Sequence, residues 1–305
     1  MESLSPIHIR LISPSSREGE VDWPPRLQEL ESNGFKVSYH KLEPDPSWPF
    51  YAGTTESRLN QLMSALTDTS VGIIHAVRGG YGSSDLLDLL PWHTLAKLPP
   101  KPIVGFSDIS ALHSAFFTKL GWKSVHGPMP ATNYWKLGQS GDIESLLSVL
   151  RGEEPRIELP LLYLGKGHSP DLQGWGFGGC LSVLTNLIGT QYFPKTLEGS
   201  LVFLEDVGEH PARILRFLNQ WHHSGSLKGV RGLVLGRFVD CERAGQASEA
   251  QLYEAIARTI HIPVWHCPLF GHCSPNWPLP IGRDLRIDGG TLTWDWDSKH
   301  DAKRC

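Results

Sequence analysis

The chain has 305 residues, with 28 Lys and Arg against 32 Asp and Glu and a formal charge of -4. That length suits one large or two medium domains around a real core, and the near balance of charge offers no basic surface for a nucleic-acid backbone. Met1 to Pro6 has neither a basic segment nor an apolar signal core, and no apolar stretch approaches a membrane span, so the expectation is a cytoplasmic chain with no membrane partner.

The first half alternates strand-like and helix-like segments. Ile7 to Ile12 reads as a strand ending in Ser13-Pro14-Ser15, and Pro24 to Ser32 as a helix stopped by Asn33-Gly34. Phe35 to Tyr39 is the next strand. In Glu56 to Leu66, Leu59, Leu62, Met63 and Leu66 fall at helical spacing. Val71 to Val77 is a strand leading into Arg78-Gly79-Gly80-Tyr81-Gly82, and Ser84 to Leu90 a short helix. Pro102-Ile103-Val104 then leads into Gly105-Phe106-Ser107-Asp108, a helix follows over Ile109 to Leu120, and Lys123 to His126 is strand-like. Such alternation predicts a parallel sheet covered on both faces, whose ligands bind at the carboxyl ends of the strands. Ser15, Arg78 to Gly80 and Ser107-Asp108 all fall at that edge.

Glu153 to Gly174 carries three prolines and no helical period, which predicts a connector. The expected division is residues 1–155, a connector at 156–174, and a second domain at 175–305. In that second part, Gly178-Gly179 precedes a helix over Leu181 to Leu187, and Ser200 to Leu204 is a strand ending in Glu205-Asp206. Pro211 opens a helix to about His222, with Ile214, Leu215, Leu218 and Trp221 on one face. Val230 to Phe238 is a strand, Gln251 to Ile260 a helix, and Leu285 to Trp296 a hairpin turning at Asp288-Gly289-Gly290.

A serine on a tight strand-to-helix turn presents its hydroxyl beside free backbone N–H groups, which a nucleophile and its oxyanion need. Ser107 fits that description. So does an ordinary turn residue with Asp108 as a helix cap. A nucleophile also needs a base, and 14 histidines leave composition unable to choose one. His113, on a helix, reads as packed; His272, on a Gly- and Pro-flanked loop, is the better candidate. Glu205 and Asp206 are carboxylates to orient it, or solvated strand ends. Arg78-Gly79-Gly80 lacks the pattern of a phosphate loop, but its glycines allow close backbone approach, so Gly79 or Gly80 can supply an oxyanion donor. The five cysteines (Cys180, Cys241, Cys267, Cys273 and Cys305) are odd in number and irregularly spaced, so no disulfide framework is expected. His266-Cys267 and His272-Cys273 suggest zinc ligands, but no second spaced cluster accompanies them, and no metal is expected.

In order and spacing these strings resemble the serine-type LD-carboxypeptidases, the family of muramoyltetrapeptide carboxypeptidase and the microcin-immunity peptidases. The matching strings are Ser13-Pro14-Ser15, Arg78 to Gly82, Gly105 to Leu112, His126-Gly127-Pro128, Gly178 to Ser182, Leu204 to Glu209 and Gly271-His272. The resemblance covers nearly the whole chain. It implies an N-terminal parallel-sheet domain of class I glutamine amidotransferase-like or flavodoxin-like type. A C-terminal mixed α/β domain of swivelling type would follow, with the active site in the cleft between them. It implies a triad of Ser107, Glu205 and His272, an oxyanion hole from the N–H groups of Asp108 and Gly80 (Gly79 less favoured), and no cofactor.

The implied reaction is hydrolysis of the amide before a terminal D-amino acid, on a small murein tetrapeptide, by a cytoplasmic homodimer. Arg78 would then meet an acidic group of the substrate, Glu209 an ammonium, and Ser15 and Trp175 would line the cleft. Many relatives have Asn where Cys180 stands. The chain lacks a long insertion before His272, which favours the murein branch. Alternatives are a peptidase of aminoacyl-nucleotide antibiotics, for which the 11 tryptophans offer stacking partners, and an inactive peptide-binding protein.

Overall fold

The computed structural model describes residues 6–135, 139–153, 157–242 and 247–294. The chain runs β1 (Ile7–Ile12), α1 (Trp23–Ser32), β2 (Phe35–Tyr39), α2 (Thr55–Thr67), β3 (Ile73–Ala76), α3 (Trp92–Leu95), β4 (Ile103–Gly105), α4 (Ser110–Leu120), β5 (Ser124–His126) and α5 (Asp142–Leu150). Ser84–Leu89 is a 3-10 helix rather than an α-helix. Strands β2-β1-β3-β4-β5 lie side by side and parallel, the flavodoxin-like order expected of the first half. Buried Ile9, Leu11, Ile73 and Val104 of these strands pack with Leu146, Leu147 and Leu150 of α5. The sequence reading had no helix at α5.

The second half holds β6 (Ile157–Pro160), β7 (Leu162–Tyr163), β8 (Leu172–Cys180), α6 (Leu181–Thr185), β9 (Ser200–Val207), α7 (Pro211–His223), β10 (Gly232–Val239), α8 (Glu249–Thr259), β11 (Val264–His266), β12 (Leu279–Ile281), β13 (Asp284–Asp288) and β14 (Thr291–Trp294). The eight-stranded sheet runs β6-β14-β13-β8-β9-β10-β11-β7, with β8 to β11 parallel and the flanks antiparallel. Two differences from the expected division stand out. Residues 157–163, read as connector, supply edge strands on both sides of this sheet: Ile157 and Leu159 of β6 alternate into the core, and β7 pairs with β11. And β12, far into the second half, adds antiparallel to β5 of the first sheet, Leu279 opposite His126.

Glycines allow that crossing. β8 reads Leu-Gln-Gly-Trp-Gly-Phe-Gly-Gly-Cys, a strand rich in glycine, which strands ordinarily avoid. A Cβ on Gly178 would lie 1.8 Å from the Phe203 carbonyl oxygen of β9, and one on Gly176 2.5 Å from the Pro280 oxygen of β12. Gly176 exchanges hydrogen bonds with the strap around β12, donating to Arg283 O at 2.7 Å and accepting from Gly282 N–H at 2.8 Å. Gly178 thus packs β8 against its own neighbour β9, and Gly176 is where the two sheets meet.

A methyl group at Gly178 has nowhere to go. Gly178→Ala is expected to lose about 3 kcal/mol in urea unfolding, whereas Gly19→Ala, with nothing within 4 Å of its Cβ, should stay within about 0.5 kcal/mol of wild type.

Candidate active site

Ser107 begins a 3-10 turn, Ser107–Ile109, between β4 and α4. Its φ is +61°, a left-handed conformation that a non-glycine residue adopts only where its surroundings hold it there. The turn is tight: a Cβ on Gly105 would lie 3.0 Å from the Ile109 side chain. Ser107 is half-buried.

His272 sits in the loop between β11 and β12, where the chain leaves the second sheet for the first. The Ser107 hydroxyl donates to His272 Nε2 at 2.9 Å, and His272 Nδ1–H donates to Glu205 Oε2 at 2.6 Å. Glu205 is not at a strand end, as the sequence suggested, but inside β9, fully buried and opposite Cys180. Gly271 lets the histidine loop approach, since a Cβ there would stand 3.1 Å from Glu205 Cβ. Asn276 Oδ1 accepts the Gly271 N–H at 3.0 Å, and the Asn276 N–H donates to Asp142 Oδ2 at 2.8 Å, tying the loop to the start of α5. Phe106 and Tyr134 meet the imidazole edge-on, with centroids 4.9 and 6.3 Å away.

The electrostatics follow from this burial. Desolvation alone would lower the His272 pKa, but the facing Glu205 carboxylate overcomes it and the net shift is upward. Desolvation likewise works to raise Glu205, and His272 turns the net shift downward. Burial pushes nearby His126 down to about 4, so it stays neutral and adds no competing charge.

Gly79 is buried and Gly80 exposed, on the loop after β3. A Cβ on Gly79 would lie 2.9 Å from Ser107 Oγ and 3.2 Å from the Asp108 nitrogen, so this loop lies directly on the serine turn. Gly80 has φ +113° and rests on Ser16, whose Oγ accepts the Tyr81 N–H at 3.0 Å. Serine, histidine and carboxylate in one hydrogen-bonded chain, beside a helix start and a glycine loop, can perform nucleophilic acyl transfer.

Family models agree with that chemistry. The model for the LD-carboxypeptidase N-terminal domain matches residues 9–127, and that for the LD-carboxypeptidase C-terminal domain matches residues 173–287. The chain belongs to the LD-carboxypeptidase family. It is 32% identical to the murein tetrapeptide carboxypeptidase of Pseudomonas aeruginosa, over 94% of each chain. Its fold is similar to the crystal structure of muramoyltetrapeptide carboxypeptidase from Oxalobacter formigenes, with TM-score 0.81 and 28% identity over 94% of this chain and 98% of that one. It is also similar to an MccF-like protein from Bacillus anthracis, with TM-score 0.83 and 26% identity over 95% and 97%.

Other expected site residues of this LD-carboxypeptidase fall elsewhere. Ser15 is fully buried and its hydroxyl is committed to Asp108 Oδ2 at 2.6 Å, so it braces the loop and does not face the cleft. Trp175 pairs with Ser200 while Cys180 pairs with Glu205, which puts it five residues, about 16 Å, from the triad end of the sheet. There it stacks on Phe117 and donates to Glu198 O. Glu209 is paired with Arg213 at 3.0 Å rather than held open for an ammonium. Arg78 is half-buried, donating to Arg17 O and Gly79 O at 2.9 and 3.2 Å.

Cys180 lies 3.5 Å from Asp206 Oδ1, and Asp206 also accepts the Ser182 N–H at 2.8 Å. Burial and then the Glu205 charge push Asp206 up to about 6. His113 is buried with its Nε2 on Gly105 O, and His266 stacks on Tyr253. Among the described residues no group of three or more His, Cys, Asp or Glu gathers as metal ligands. The sequence reading missed Phe106, Tyr134, Asn276 and Asp142; only Phe106, inside the serine turn, had any local signal.

The raised His272 pKa is directly measurable. In an NMR titration its imidazole should titrate above about 6.5. By linkage, its stabilising contribution is present in full below that value and is lost as pH rises through the folded-state pKa. A midpoint below the ordinary histidine value would contradict the Glu205 pairing.

Proposed function

We propose that this enzyme is an LD-carboxypeptidase that removes terminal D-alanine from murein tetrapeptides in cytoplasmic peptidoglycan recycling. The observation that carries the reading is the chain of hydrogen bonds Ser107–His272–Glu205, at 2.9 and 2.6 Å. The murein substrate is supported by the Pseudomonas relative named for it, at 32% identity across 94% of both chains.

In the mechanism, Ser107 Oγ attacks the carbonyl carbon before the terminal D-residue while His272 Nε2 takes the hydroxyl proton. The oxyanion accepts the N–H groups of Asp108 and Gly80. Glu205 fixes the tautomer and faces the imidazolium that forms. As the C–N bond breaks, His272 passes its proton to the leaving amine, and D-alanine departs with Ser107 acylated. A water then attacks the ester, giving its proton to His272, and the tetrahedral intermediate collapses to release the tripeptide acid and restore the serine. The Arg78 guanidinium, on the residue next to Gly79, receives the α-carboxylate of the departing residue. The microcin-immunity alternative differs in substrate, not in this machinery.

Wild type and Ser107→Ala are each incubated with L-Ala-D-Glu-meso-diaminopimelate-D-Ala, and products are read by mass spectrometry. Wild type should release D-alanine, and Ser107→Ala should be slower by about 10⁴ to 10⁶. For wild type, kcat/KM should rise with pH to a plateau, with its midpoint above about 6.5 because His272 acts unprotonated. Equal release by both proteins would sink the nucleophile assignment. Absence of release by wild type would move the substrate toward aminoacyl nucleotides.

A further inference from the structure

Asp108 has a side chain with no part in the mechanism above. It is 3% exposed, and its carboxylate Oδ2 accepts both the Ser15 hydroxyl at 2.6 Å and the Ser83 N–H at 2.8 Å. Its own carbonyl accepts the Ser83 hydroxyl at 2.6 Å. Ser15 follows β1, Ser83 follows β3 and Asp108 follows β4, so a single carboxylate joins the loops of three neighbouring strands at their carboxyl ends.

A buried cation grips the same two loops one residue earlier. Arg58, on α2 and fully buried, donates through Nη1 to Pro14 O and to Gly82 O, both at 2.7 Å. The pairs Pro14-Ser15 and Gly82-Ser83 are each held by the Arg58 guanidinium on the first residue and the Asp108 carboxyl group on the next. Between this clamp and Ser107 lies the stretch Gly79-Gly80-Tyr81. One end rests on the serine side chain, the other is bonded through the Tyr81 N–H to Ser16. The Gly80 N–H has no rigid element of its own to aim it; the loop belongs to no helix or strand. Oxyanion donors act only when fixed beforehand at hydrogen-bond distance from the developing charge.

We infer that the Asp108 carboxylate, through Ser15 and Ser83, is a positioning residue that holds the Gly80 loop against the serine turn, so that the N–H groups of Gly80 and Asp108 converge on one oxyanion. The inference rests on the acyl-transfer reading of Ser107. It makes Asp108 a residue of two separate duties: its backbone donates to the oxyanion, and its side chain aims the other donor. Arg58 is the second anchor of the same loop.

The test separates aiming from folding and from ground-state binding. Asp108→Ala removes the acceptor, Asp108→Asn keeps a carbonyl oxygen for both donors, and Ser15→Ala removes one of the two bonds, giving a milder variant should Asp108→Ala fail to fold. Each is measured for kcat and KM on the tetrapeptide, affinity for the tripeptide product, and affinity for a peptide aldehyde, whose adduct with Ser107 carries an oxyanion. Asp108→Ala should lose about 100-fold in kcat and a similar factor in aldehyde affinity, Ser15→Ala about tenfold in both, with KM and product affinity within about threefold of wild type. Asp108→Asn should recover most of the loss.

Wild-type kcat in both Asp108→Ala and Ser15→Ala would overturn the inference. So would a loss of product affinity equal to the loss of aldehyde affinity, which would mark a general loosening. If wild type binds the aldehyde no better than Ser107→Ala does, the acyl-transfer reading itself has failed and takes the inference with it.

Discussion

The hydrogen bond from His272 to the fully buried carboxylate of Glu205 is the contact on which the site depends. A carboxylate taken out of water costs several kcal/mol, roughly, unless a partner compensates it. Glu205 Oε1 makes no hydrogen bond within the described protein, so His272 is the partner that makes the buried charge tolerable. The same pairing fixes which ring nitrogen carries the proton, and so leaves Nε2 as the acceptor facing Ser107. Burial and charge pull the imidazole in opposite directions, and the charge prevails. A base shifted upward in this way is a stronger proton acceptor, at the expense of needing a higher pH to be free.

This contact exists only because the two sheets are sewn together. Ser107 stands on the turn after β4 of the first sheet, Glu205 in β9 of the second, and His272 on the loop that carries the chain from one to the other. The seam includes Gly176 of β8, which admits the backbone of β12 where a side chain would exclude it. Asn276 and Asp142 fasten the same loop from the opposite side. The geometry of Ser107, His272 and Glu205 is therefore a property of the packing between halves.

Much of this was legible in the amino-acid order. A short apolar run, then Gly-Phe-Ser-Asp, then a helical segment announces an exposed serine, because strand, glycine and helix start each leave a local mark. That the first sheet is parallel follows from alternation, and its strands carry branched apolar residues; its flavodoxin-like type came from the resemblance. The choice of His272 among 14 histidines rested on resemblance, since a loop flanked by glycine and proline narrows the field without closing it. β8 was illegible because four of its nine residues are glycine, which strands ordinarily avoid. Trp175 was misplaced for a related reason: its residue type says aromatic, while the end of the sheet it occupies is set by register with β9. Ser15, Asn276 and Asp142 depend on partners dozens of residues away, which no local pattern encodes.

The most direct test needs no knowledge of the natural substrate. It is the second-order rate constant for labelling of Ser107 by a small fluorophosphonate, in wild type and in Glu205→Gln, with the labelled residue identified by mass spectrometry. Replacing the carboxylate by an amide keeps the shape but removes the charge and permits the wrong tautomer of His272. The predicted result is a fall of about 10³ to 10⁴ in the rate, with folding intact by circular dichroism. Labelling within about threefold of wild type would show that the buried carboxylate does not activate the serine, contradicting the central claim.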